Sequence, residues 1–528
     1  MNRIKIEHIN KQKWCCCLIM CLALILLSVY YCYAHSKVII SSDSTTMLLL
    51  AQDFVHGNIF LKDWVVGTNN FFFSETIFYC IAMLFGMSYQ TMIMVITPIF
   101  LAAFMIFCCY MISDQQAEST QNRMVIWAGC IMFLATAALF PYGLGYTYLN
   151  ANSHNLLYLW IAIAMVCLCR YIQKLKKRYI VAYMIIAVLM SFSEGVTLMV
   201  LLGPVIVASA IQFLIEKDNR KLYGKLIIFS GLSYVIAKIW LILLQHFGGL
   251  VVRGIPMTLV LSPAAVKSRI FHYSRELYSI FGFGGLHTIG LTSWNGIYNL
   301  IVFLCLCFFC IGICISIVTY LKLSILDKLL LWTVILNFAG CFFTDVAVVA
   351  RYIIPSVCFG LVLSFRMTVM ALNKIQWKRA RLIIAIVLCV AMSFAGIYRC
   401  AEYRQHEVYG EDQKQLAKLI ENEQLGDGYG DFWCASVNSF YSDFKTNIYP
   451  VYVKDDQLMN YYELVDKKWY EKKDKHYIVT FSNDGSTFFK NEELVNILGE
   501  PDRTYDCGIY QIFYWNEDIS DQLHIAWP

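Results

Sequence analysis

Apolar runs close to the ~20 residues needed to cross a bilayer recur along this chain from residue 13 to residue 397. In lipid every backbone polar group must be satisfied within the protein, which leaves helices or closed barrels. Runs of this length without strict alternation select helices. The candidate spans are roughly 13–33, 71–86, 90–112, 123–141, 153–170, 178–192, 194–216, 221–245, 297–320, 327–343, 346–370 and 379–397. Composition agrees. The chain is 59% apolar and 15% charged, with mean hydropathy +0.57, whereas a soluble domain is about a quarter charged.

After residue 400 the runs stop and the charge changes sign. Residues 1–400 carry 30 Lys and Arg against 13 Asp and Glu, a balance of +17; residues 401–528 carry 12 against 24, a balance of −12. A basic membrane part followed by an acidic tail points to two compartments and away from nucleic-acid binding. The basic segments "RYIQKLKKR" (170–178), "EKDNRKLYGK" (216–225) and "NKIQWKRAR" (373–381) belong on the cytoplasmic side with the N-terminus. That assignment puts 142–152, Glu194, 246–296, Asp345 and the tail outside. N-terminus in and C-terminus out require an odd number of crossings. The segment 71–86 is short and contains Glu75, so it is read as re-entrant or interfacial, leaving eleven spans; thirteen, with one span unseen, is the alternative. The basic "MNRIKIEHINKQKW" precedes "CCCLIMCLALILLSVYYCYA", a run too long for a signal-peptide core, so a retained anchor is expected in place of a cleaved signal.

The expected fold is thus a polytopic α-helical membrane protein with about 11 (11–13) transmembrane helices over 1–400. Its first outer loop is 34–70 and its second is 246–296. A small extracytoplasmic α/β domain follows over 401–528. In the tail "EDQKQLAKLIENEQ" and "NEELVNILG" pattern as helices and "TNIYPVYV", "KHYIVTFS" and "GIYQIFYW" as strands. Of the 21 Cys, 18 lie at or before residue 389, nearly all in apolar runs where they act as small hydrophobes. Cys434 and Cys507 have the opportunity to pair if the tail is extracytoplasmic. No nucleotide, zinc-protease or hydrolase motif is present.

The acids of the membrane part divide by side. Glu7, Asp114, Glu118, Glu216, Asp218 and Asp327 fall on cytoplasmic loops; Asp43, Asp53, Asp63, Glu75, Glu194, Glu276 and Asp345 fall at the outer face. Charges at span ends are costly unless compensated, and Lys62, Arg253, Lys267, Arg269, Arg275 and Arg351 accompany them. A mixed-charge pocket in an apolar frame suits a substrate with a phosphate head and a lipid tail.

At these residues the sequence resembles the GT-C glycosyltransferases, the polyprenyl-phosphate-sugar-dependent membrane enzymes that include protein O-mannosyltransferases and lipid A aminoarabinose transferases. Asp43, Gly57, Asp63-Trp64 and Glu75 are similar to the first outer loop of that group. "ARYIIP", Ala350 to Pro355, is similar to its Arg-Tyr-x-x-Pro pattern, and "NANSHNLLYLWIAIAM" places His154 where relatives often carry an acid. Asp43 is followed by Ser44 where many relatives have Glu, and Glu75 lacks the Lys-Pro of the aminoarabinose transferases. The resemblance implies a GT-C-like fold and transfer of a sugar from a polyprenyl-phosphate donor to an extracytoplasmic glycan, lipid or protein acceptor. An alcohol acceptor is a poor nucleophile and needs a carboxylate base; the departing phosphate needs a cation, and the planar fork of Arg suits it. Asp43 is therefore expected as base and Arg351 as phosphate holder, with Glu75, His154 and Tyr352 binding substrate. The resemblance names no cofactor and admits a divalent metal.

Each residue also has a structural reading. Asp43 in "SSDSTT" can N-cap a helix ending at Gly57. Asp53 and Asp63 fit structural roles, Glu75 a local ion pair, and Glu194 in "SFSEGV" a turn between spans. Arg351 can snorkel to the interface, His154 can be a hydrogen-bonded interfacial residue, and the aromatics of "PYGLGYTYLN" and "LTSWNGIYN" fit a membrane belt. The function class competing with an enzyme is a transporter or flippase for a lipid-linked or anionic substrate. Transporters place charges near the midplane, often on repeats; here the charges crowd the outer face and no repeat is visible.

Overall fold

The computed structural model describes residues 40–113, 155–254, 257–281, 292–373, 410–471, 473–483 and 486–527, with Ile383, Val387, Val390 and Ala391 besides. The expected spans 13–33 and 123–141, nearly all of 379–397, and His154 lie outside the described residues.

The described chain opens with α1 (Ser42–Val55), capped by a reciprocal box in which the Ser41 hydroxyl takes the Ser44 amide and Ser44 reaches back to the Ser41 amide. It is this Ser41 cap, and not Asp43, that starts the helix. The helix ends two residues before Gly57, whose φ of +106° turns the chain away. Strand β1 (Trp64–Val66) follows, then a wide π-type turn over Phe72–Thr76 leading into α2 (Ile77–Leu84). Together Phe72–Leu84 make a short apolar helix below spanning length. Next come α3 (Tyr89–Ser113), α4 (Asn155–Lys174), α5 (Lys177–Ser193), a second wide turn at Leu198–Leu202, α6 (Gly203–Ile215) and α7 (Arg220–His246). The second loop holds β2 (Val251–Val252) and α8 (Pro263–Ile280); α9 (Trp294–Val318), α10 (Ile325–Phe343) and α11 (Ala350–Asn373) complete the bundle.

Among the described residues, seven helices are long and apolar enough to cross a membrane. They are Tyr89–Ile112, Leu156–Lys174, Leu198–Ile215, Lys217–His246, Trp294–Val318, Ile325–Phe343 and Ala350–Thr368, and they mark a membrane protein. The expected span 178–192 forms the seventeen-residue α5, whose buried face (Tyr183, Ala187, Met190) packs in the main core. Leu214, Ile228, Ile242, Ile311 and Val318 stay exposed on the outside of the bundle, as lipid-facing positions must. Among the described residues an ion pair is buried where the Arg366 guanidinium on α11 meets Asp327 at the start of α10 and donates to the Met111 carbonyl. It ties three helices at the end of the bundle away from α1. A charge removed from water is tolerable only with this degree of pairing.

The tail builds a separate six-stranded sheet. In order along the chain it contains α12 (Glu411–Asn422), β3 (Gly428–Gly430), α13 (Ala435–Tyr441), β4 (Ile448–Lys454), β5 (Gln457–Asn460), β6 (Val465–Asp466), β7 (Tyr477–Phe481), α14 (Asn491–Leu498), β8 (Arg503–Cys507) and β9 (Tyr510–Tyr514). The spatial order is β5-β4-β3-β7-β9-β8, with a parallel centre (β4, β3, β7) and antiparallel flanks. Cys434 and Cys507 are free thiols in the same small core beneath this sheet.

Strand β6 leaves that sheet and joins another. It pairs antiparallel with β1 (Val65 opposite Val465), while β1 pairs parallel with β2 (Val66 opposite Val252). First loop, second loop and tail therefore share one three-stranded sheet. A common apolar cluster runs from Met47, Leu48 and Trp64 to Phe440, Tyr449 and Val465, so the tail is seated on α1 and the first loop.

Candidate functional site

The site lies where the first turn of α1, the first turn of α11 and the tail meet. The α1 turn is built from small hydroxyl residues. Ser42, Ser44, Thr45 and Thr46 are buried; the hydroxyls of Ser44, Thr45 and Thr46 return to nearby carbonyls, as Thr46 does to Ser42 at 2.7 Å. The Thr46 hydroxyl also reaches Ser436 of α13 at 3.3 Å, which brings the tail over this turn.

Asp43 projects from that turn with its side chain 18% exposed, and one carboxylate oxygen stands 3.5 Å from Nη1 of Arg351. Burial, the larger influence, raises its carboxyl above the ordinary aspartate range; the charge and hydrogen bond of Arg351 pull the other way. At 3.5 Å the pair is longer than the ~2.7–2.9 Å of a tight charge-assisted bond. Arg351 is itself accessible, with 43% of its side chain exposed. Its guanidinium carbon lies 5.4 Å from the centre of the Tyr352 ring, and Tyr352 packs partly buried against the main core.

"ARYIIP" has a structural logic here. Pro355 sits within α11 and has no N–H, so the Arg351 carbonyl, four residues earlier, has no amide partner at that position. The Tyr158 hydroxyl of α4 donates to it at 3.4 Å. Glu194, which ends α5 and is buried, is an electrostatic neighbour of Tyr158. The turn after it is anchored to the first loop by Asn69, whose side-chain oxygen takes the Gly195 amide at 2.8 Å.

The other sequence candidates are placed as follows. Glu75 is buried in the wide turn before α2, where the Tyr79 hydroxyl donates to it at 3.2 Å; the adjacent Thr76 meets Met47 of α1 at 3.7 Å. Asp53 accepts the Trp64 indole N–H at 2.8 Å and holds β1 in place. Asp63 pairs with Lys468 of the tail at 3.3 Å. Asp345 takes the Thr258 amide at 3.0 Å and binds the second loop to the end of α10. Asp53 thus braces α1 against β1, while Asp63 and Asp345 clamp segments distant in the chain.

Sequence reasoning missed the tail's contribution. The charges facing Glu463 are Arg253, Asp43 and Arg351, and burial raises its carboxyl above the ordinary range. The guanidinium of Arg253 lies 4.2 Å over the Tyr462 ring. Tyr461 stacks between Phe432 and Tyr462, each with ring centres 4.7 Å away, and senses both Glu463 and Asp43. The only available signal was the strand pairing that carries this turn to the site, and strands of two and three residues leave no alternation to detect.

A divalent metal does not fit what is placed here. Among the described residues no three His, Cys, Asp or Glu side chains gather into a metal-holding group, and Asp43 faces a guanidinium. In comparisons with known proteins, no family model and no curated protein matches this chain.

Proposed function

We propose that the chain is an integral membrane glycosyltransferase with a GT-C-like frame of eleven crossings. It would move a sugar from a polyprenyl-phosphate donor to an extracytoplasmic glycan, lipid or protein, with the tail on the outer side of the plasma membrane. The observation that carries this reading is the meeting of Asp43 and Arg351, from opposite ends of the membrane part, at one end of an apolar bundle. A carboxylate of raised basicity beside an accessible guanidinium is the pair that displacement at a sugar phosphate requires.

In this reading the donor's phosphate takes the guanidinium away from Asp43. The loose 3.5 Å pair is easily exchanged for a bidentate phosphate contact. With the guanidinium drawn to the phosphate, the half-buried carboxylate becomes the stronger base. It removes the acceptor hydroxyl proton as that oxygen bonds to the sugar C1. The bond from C1 to the phosphate oxygen breaks, its electron pair stays on the phosphate, and Arg351 holds the charge. Glu75, Tyr352 and His154 would take part in substrate binding, and the exposed apolar helix faces would hold the polyprenyl tail.

The test uses purified protein in detergent with a panel of undecaprenyl-phosphate hexoses and pentoses and a panel of hydroxyl acceptors, water serving as a slow acceptor in their absence. Release of undecaprenyl phosphate is expected, falling ~10²–10⁴-fold in Asp43→Asn. Intact donor recovered from detergent, together with its movement across sealed vesicles, would replace the enzyme by a flippase.

A further inference from the structure

The tail is bound to the membrane part in a way that places one of its turns at the site. Strand β6 is fixed by its ladder with β1, and by the Lys467 amide donating to the Asp63 carbonyl at 2.9 Å. The turn just before it, Tyr461–Leu464, is thereby held against the end of β1. Glu463 approaches so closely that its Oε2 lies 3.3 Å from where a side chain on Gly67 would begin; any larger residue there would crowd the carboxylate. On the other side the second loop delivers Arg253, whose amide donates to the Val66 carbonyl at 3.0 Å and whose guanidinium covers Tyr462. Three segments remote in sequence therefore converge on one wall opposite Arg351.

We propose that this wall is the acceptor side of the site, and that Glu463 with Arg253 grips hydroxyl groups of a neutral sugar acceptor over the Tyr462 ring. The inference rests on the glycosyl-transfer reading and names its acceptor. Charge decides the class. Once a donor phosphate engages Arg351, the charges that face Glu463 among the described residues are the carboxylate of Asp43 and one guanidinium, Arg253, so two carboxylates stand against one cation. An anionic acceptor would meet net repulsion in a half-buried setting. A polyol satisfies both signs, since its hydroxyls donate to Glu463 and accept from Arg253, while an aromatic face supplies a surface for its C–H groups. Burial that raises the Glu463 carboxyl works in the same direction, because its charge is poorly hydrated until hydroxyls reach it.

The experiment measures two ligands on the full chain in detergent. Undecaprenyl phosphate binding is followed by native mass spectrometry. Binding of a panel of neutral methyl glycosides, with glucuronic acid as the anionic control, is followed by saturation-transfer NMR. The wild type should bind at least one neutral glycoside in preference to glucuronic acid. Glu463→Gln and Arg253→Ala should each weaken that binding about tenfold or more, the scale of a hydrogen bond to a charged group, while keeping undecaprenyl phosphate binding, which also certifies folding. Unchanged glycoside binding in both variants, a preference for glucuronic acid, no glycoside bound by the wild type, or loss of undecaprenyl phosphate binding in Glu463→Gln would each overturn the proposal. Failure of the underlying reading looks different: undecaprenyl phosphate would not bind the wild type, or would bind Arg351→Ala equally well.

Discussion

Pro355 removes the amide that would otherwise bond to the Arg351 carbonyl, and the Tyr158 hydroxyl stands in its place at 3.4 Å. Two residues far from Arg351 in chemistry thus decide how its backbone is held. Tyr158→Phe should leave that carbonyl without its hydroxyl donor and cost about 1–3 kcal/mol, read as a lowered thermal midpoint in detergent. The guanidinium makes a separate demand. If it forks onto phosphate, Arg351→Lys keeps the charge and loses the fork, so undecaprenyl phosphate should bind more weakly, and Arg351→Ala more weakly still. Equal affinity in all three proteins would reduce Arg351 to an interfacial anchor. Asp43 and Arg351 were legible in the sequence because an acid following an apolar run and an Arg opening one are conspicuous in so greasy a chain. Glu463 was not, because it is one of 24 acids in a tail where acids are ordinary. Only tertiary pairing distinguishes it.

At the scale of elements the same contrast has a physical cause. Long helices and the strands β4, β7 and β9 announce themselves, since apolar runs and five- to seven-residue strands carry enough residues to show a period. The sheet that joins tail to loops does not: β1, β2 and β6 are two or three residues long, and their pairing is set by neighbours far along the chain. That small sheet carries a pH response. Asp466, buried at the β1–β6 junction, has its carboxyl pushed up to about 6 by burial, with Asp53 and Asp63 adding to the rise and Lys468 opposing it. An acid whose pKa is higher folded than unfolded favours the folded state at low pH. Its contribution is full below about 4 and is lost as pH rises through about 6. The difference amounts to ~3 kcal/mol. Amide exchange at Trp64–Val66 should therefore be slower at pH 5 than at pH 7.5 after correction for intrinsic rates, and Asp466→Asn should flatten the difference. Equal protection at both pH values in the wild type would show that the junction does not sense this carboxyl.

For the whole molecule, the three-stranded sheet turns a question of topology into one of geometry. Backbone hydrogen bonds join the first loop, the second loop and the tail, so all three occupy one end of the bundle. The site end is also marked by Tyr158, near the start of α4. The basic segment 170–178 begins twelve residues farther along that helix, ~18 Å away at 1.5 Å per residue, and belongs at the opposite end. Because cytoplasmic loops carry the excess of Lys and Arg, the end bearing the tail should be extracytoplasmic. A single cysteine placed at the exposed Lys454, in a background without native thiols, should react with a membrane-impermeant thiol reagent in intact cells; one placed at the exposed Lys176 should react only after lysis. The reverse pattern would invert the protein and put its site in the cytoplasm. Reaction at both positions would mean the chain inserts in two orientations. Under the reversed pattern a donor presented at the outer face could not be the substrate of this site, and under dual insertion it would reach only the molecules whose tail lies outside.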